Sequence, residues 1–132
     1  MSKLRILYHG TDADGAQAIL NQGWFAEGTF FARGLRDALA CGRSDDQILA
    51  MPHPAFPGCS ILAPVDQTYI FAVVFEADEL PSFDDNWWQW VTPEDVTVER
   101  VQKITCLTER VLRERDDLRE QVFNSQQVPE GL

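Results

Sequence analysis

The chain is poor in positive charge. Lysines and arginines number 11 against 21 aspartates and glutamates, a formal net charge of −10. No basic run offsets that balance, so phosphate backbones and anionic lipid would be repelled, and nucleic acid and membrane surfaces are disfavoured as partners. Histidine is scarcer still: only His9 and His53 are present. They are far apart, so no pair stands at metal-ligand spacing and no metal is expected. The three cysteines, Cys41, Cys59 and Cys106, form no C-x-x-C pair, which argues against zinc and redox chemistry and leaves buried reduced thiols as the expectation. There is no bilayer-spanning apolar run, no Walker or Rossmann glycine pattern, no internal repeat and no low-complexity tract. The apolar run after Met1 to Arg5 is too short for a signal peptide. Residence in the cytoplasm, or export by a specialised secretion system, is therefore expected.

What is present suits one globular domain: 132 residues, 45% of them hydrophobic, are enough for one core and too few for two. We expect a domain over residues 1–123 and a flexible tail over 124–132. Leu4 to Tyr8 reads as a first strand. Thr11 or Asp12 can cap a helix whose stripe is Ala13, Ala16, Ile19 and Leu20, with Gly23 as its left-handed stop. Trp24 and Phe25 serve as anchors, and Thr29 to Ala32 is a short strand. Leu35, Ala38 and Leu39 lie on one side of a second helix ending near Gly42. From Gly42 to Asp66 the prolines and the lost periodicity predict a long loop. Tyr69 to Phe75, nearly all β-branched or aromatic, predicts the central strand. Trp87 to Val91 predicts another, and Val96, Val98, Val101 and Ile104 a last one that needs a bulge or bend. Leu107, Val111, Leu118 and Val122 place a surface helix over about 107–123.

Two stretches carry chemistry. Tyr8-His9-Gly10-Thr11 puts a histidine and a glycine between a strand and a capped helix, where backbone donors can grip a carboxamide or a ribose. In Phe30-Phe31, alternation sends the two rings to opposite faces, so one joins the core and the other can line a cleft and stack on a planar base. His53, between prolines, reads as an exposed loop residue. The carboxylates from Glu76 to Glu99 read as a solvated face, or more sharply as a docking surface for a basic partner. Asp78/Glu79 and Asp84/Asp85 read as solvated turn charges rather than a paired-carboxylate hydrolase site.

These motifs resemble the ADP-ribosyltransferase superfamily, in the branch shared by poly(ADP-ribose) polymerases and diphtheria toxin, whose triad is His-Tyr-Glu. Leu7-Tyr8-His9-Gly10-Thr11 resembles its aromatic-His-Gly-Ser/Thr motif. Gly28-Thr29-Phe30-Phe31-Ala32 resembles its Gly-x-Tyr-Phe-Ala strand, and Val91 to Val96 its later strand-turn-strand piece. The likeness spans roughly residues 4 to 104. It implies an α+β fold, a split, twisted, mostly antiparallel sheet of about five or six strands with short flanking helices. It also implies NAD as substrate, held by Tyr8, His9, Gly10, Thr11, Phe30 and Phe31 without a metal. His9 would bond ribose hydroxyls, Gly10 the nicotinamide carboxamide, and Phe30, in the tyrosine's place, would stack on nicotinamide. The family's glutamate has no counterpart between Asp84 and Trp90. Gln89 is the nearest substitute and Asp85 a second candidate, while Cys41 stands where a second aromatic is usual. The resemblance thus implies mono-ADP-ribosyl transfer to a protein or other acceptor, with the loop from Arg43 to Pro64 helping to choose it. A catalytically impaired module that meets a basic protein through its acidic surface is the alternative. RNA 2′-phosphotransfer, for which Arg33, Arg36 and Arg43 could serve, is a third reading.

Overall fold

In the computed structural model, which describes residues 3–40, 48–53, 56–82 and 85–124, a mixed α+β domain is built on antiparallel strands. The first strand, β1 (Leu4–Thr11), is longer than predicted and carries His9, Gly10 and Thr11 within it rather than beyond its end. Asp12, not Thr11, caps helix α1 (Ala13–Gln22), its carboxylate accepting from the Gly15 N–H at 2.7 Å. Gly23 ends the helix at φ +93°, a backbone conformation that costs a side chain and suits glycine. Then come β2 (Trp24–Phe25), β3 (Phe30–Ala32) and α2 (Leu35–Ala40), with Leu35, Ala38 and Leu39 buried as their spacing predicts. The predicted end of α2 near Gly42 lies outside the described residues, as do Cys41, Arg43, Asp84 and the tail from 125.

The predicted loop from Gly42 to Asp66 contains a hairpin, β4 (Ile48–Pro52) and β5 (Ser60–Pro64). Both prolines terminate their strands in a two-stranded ribbon, where a missing ladder donor costs little. His53 is buried, not exposed: its ring packs against both Phe56 and Phe123, with centroids 4.7 and 4.8 Å away, and its Nε2 is 3.1 Å from the Glu120 carboxylate. Cys59, expected inside, is exposed.

Strand β6 (Thr68–Glu76) leads through a 3-10 turn (Ala77–Glu79) to β7 (Gln89–Val91). The predicted last strand is two strands in different sheets, β8 (Val96–Thr97) and β9 (Val101–Leu107), divided by a 3-10 turn (Val98–Arg100). The predicted C-terminal helix is likewise two, α3 (Glu109–Glu114) and α4 (Asp116–Asn124), and Leu107 belongs to β9. Buried Arg119 ties them together, donating to the Leu112 and Arg113 carbonyls and pairing with Asp116.

The main sheet runs β7-β3-β1-β6-β9, with β2-β8 and β4-β5 as separate ribbons. One face carries a core of Ala38, Leu39, Met51, Ile70, Leu112 and Val122, drawn from β6 itself and from α2, the β4-β5 ribbon, α3 and α4 packed on it. The other carries Leu7, Ala16, Phe25, Phe31, Phe71, Phe75 and Val96, under α1 and the β2-β8 ribbon. Among the described residues no helix is long and apolar enough to cross a membrane.

Candidate functional site

The β1-β3 ladder is where the site residues gather. It has one registered pair, Tyr8 opposite Ala32, so Phe31 lies level with His9 and Phe30 level with Gly10 beyond the point where pairing stops. Alternation then decides the faces. His9 lies on the aromatic face, its ring 5.6 Å from Phe25 and 5.8 Å from Phe31 between centroids. Tyr8 lies on the α2 face, against that face's core. So does Gln89, which is opposite Ala32, and so do Phe30 and Val91, opposite one another and both about half exposed.

His9 meets Phe30 through the backbone. Its Nδ1 lies 2.8 Å from the Phe30 carbonyl oxygen. A carbonyl can only accept, so Nδ1 carries the proton, and in the neutral ring Nε2 is left with a lone pair. Nε2 has no hydrogen-bond partner among the described residues. Burial pulls the His9 pKa below its ordinary value near 6.5, and the bond to Phe30 offsets part of that. The imidazole is therefore neutral at pH 7, an acceptor at one nitrogen and a donor at the other.

That shift makes stability depend on pH. The folded state holds this proton less tightly than the unfolded chain, so acid favours unfolding. Stability should fall as pH drops below about 6.5. His9→Gln, which cannot titrate, should lose less melting temperature than the wild type between pH 7.5 and 5.5. Equal losses would place the neutral histidine elsewhere.

Gly10 is buried for a steric reason. A Cβ there would stand 2.0 Å from the Ala38 carbonyl oxygen, so glycine lets α2 lie directly on β1. Thr11, the last residue of β1, is half-buried. The Asp12 carboxylate already occupies the α1 N-terminus, which makes that helix end a poor seat for a phosphate.

Residues 85–87 are held by a side chain that the sequence did not single out for this task. Arg33 donates from Nη1 to the carbonyl oxygens of Asp85 and Trp87, at 3.2 and 3.0 Å, and stacks over the Trp87 ring at 4.8 Å. Asp85 itself is exposed. Phe25, the ring edge-on to His9, was also missed as a site neighbour, because its proximity depends on the β2-β8 ribbon folding back over the sheet. Its only sequence signal was an aromatic just after a helix-stopping glycine.

The structure thus sets the His9 ring beside Phe31 and ties it to the Phe30 carbonyl, while the Phe30 ring lies on the opposite face. It places Gln89 on the sheet face opposite His9, and exposed Asp85 in the stretch before β7 that Arg33 holds. Among the described residues no cluster of three or more histidine, cysteine or acidic side chains could hold a metal. No family model, curated protein or solved structure matches the chain.

Proposed function

We propose that this domain binds NAD at the end of β1 and transfers ADP-ribose from it to an acceptor, releasing nicotinamide. The observation that carries the reading is the His9 imidazole: burial keeps it neutral, the Phe30 carbonyl fixes its tautomer, and Nε2 is left to accept a hydroxyl. A ribose hydroxyl is the matching donor. In this reading the backbone of Gly10, where β1 and β3 part, meets the carboxamide, and the half-exposed Phe30 ring offers a surface for nicotinamide. The glycosidic bond breaks with its electron pair leaving on nicotinamide, and the acceptor's nucleophile, losing a proton, takes the ribosyl carbon. A protein acceptor with basic surface would suit the −10 charge.

A second reading is a domain that binds without turnover. The identity of Gln89 favours it: a neutral amide cannot offset the positive charge that develops as nicotinamide leaves. Nicotinamide release measured by chromatography separates the two. On the transferase reading the wild type releases nicotinamide slowly, and Gln89→Glu raises the rate about tenfold or more by restoring a carboxylate. Release by neither protein, with NAD bound to both, would leave the binding module.

A further inference from the structure

At the other end of β1, five residues and roughly 17 Å from His9, the sheet has an open notch. Strand β6 runs to Glu76, but β9 begins at Val101 opposite Val73, after a register shift at Ala72/Val73. Residues 74–76 therefore have β1 on one side, Ile6 opposite Val74 and Leu4 opposite Glu76, and no strand on the other among the described residues. The chain enters β9 through the Val98–Arg100 turn, which stands off enough to leave a cavity of about 550 Å³.

The cavity's chemistry is one-sided. Leu4, Val74 and Val101 give it apolar walls. Three carboxylates, Glu76, Glu79 and Glu99, face one guanidinium, Arg100. Arg100 lies over the Phe75 ring and pairs with Glu79 through two 2.7 Å hydrogen bonds, which hold the Glu79 carboxyl below its ordinary pKa. Among the described residues Glu76 and Glu99 make no ion pair within 4 Å, and the Glu76 carboxylate accepts from the Glu79 N–H at the start of the 3-10 turn. Leu4 is 64% exposed although it stands in a strand.

We propose that this notch docks an extended basic segment of a partner protein, which adds to the sheet beside residues 74–76. Exposed strand edges pair with added strands, whose main chain supplies the bonds while alternate side chains supply selectivity. Here an apolar residue would lie opposite Val74, on the face shared with Leu4 and Ile6. A lysine or arginine two positions along would lie opposite Glu76, near Glu99. The cavity lies away from His9, so the proposal stands whether or not the domain turns over NAD.

The test uses the heptapeptide Val-Thr-Lys-Thr-Val-Thr-Lys, which sets valine and lysine two positions apart on one face, titrated into isotope-labelled protein and followed by amide chemical shifts. Saturable binding below about 1 mM is expected, with shifts centred on Val74, Phe75, Glu76 and Val101 and an affinity that weakens as salt rises. Leu4→Lys and Glu99→Lys change exposed side chains and should each weaken binding about fivefold or more without altering the melting temperature. Methylating alternate backbone amides of the peptide should weaken it as much, and the same peptide with glutamate in place of both lysines should not bind. Shifts centred elsewhere, indifference to amide methylation, or self-association of the protein through these residues would each overturn the proposal.

Discussion

Gly10→Ala is expected to destabilise the domain by about 3 kcal/mol, the upper end of the usual cost of over-packing a core. The new methyl carbon would stand 2.0 Å from the Ala38 carbonyl oxygen and 2.9 Å from its carbon. Both are backbone atoms of α2, so no rotamer change relieves the clash. An ordinary carbon-oxygen contact is above 3 Å, and α2 would have to retreat by roughly 1 Å. That retreat would disturb Ala38 and Leu39, both fully buried in the core of that face. Urea denaturation of the two proteins measures the difference. A loss under about 1 kcal/mol would show that α2 does not rest on β1 as described.

Phe31→Ala should cost as much or more, about 3 to 5 kcal/mol, the range for deleting a fully buried phenylalanine. Its ring is completely inaccessible and sits within 5.3 Å of both Phe25 and Phe75 between centroids, with Trp90 and His9 beside it. The residue before it provides the control. Phe30 is half exposed on the opposite face, so Phe30→Ala should cost under about 1 kcal/mol. Similar losses from the two substitutions would contradict the face assignment that separates core from candidate cleft.

That pair of residues shows what could be read from the chain alone. Alternation within one strand is local, so the sequence is enough to send Phe30 and Phe31 to opposite sides. Whether Phe30 shares a side with His9 depends on the register between β3 and β1, and Tyr8 opposite Ala32 puts it on the other one. Register is set by the whole sheet, so adjacency of the two motifs could be expected while ring-to-ring geometry could not. The α1 stop at Gly23 and the buried side of α2 were legible for the same local reason. The β4-β5 ribbon was hidden by prolines, which mark loops in general but strand ends here. His53 was misread because its burial comes from α4, some 67 residues away along the chain. The break between β8 and β9 did announce itself as an awkward spacing at Val96, Val98 and Val101. Only the packing shows that the bend moves the chain from one sheet to another.

The central claim is that His9, neutral and fixed through Nδ1, presents Nε2 to a ribose hydroxyl of NAD. Isothermal titration of NAD into the wild type, His9→Gln and His9→Ala tests it directly. The wild type should bind NAD, His9→Ala at least about tenfold more weakly with its fold intact, and His9→Gln, whose amide oxygen still accepts, in between. Failure of the wild type to bind NAD, or equal binding by all three proteins, would contradict the account.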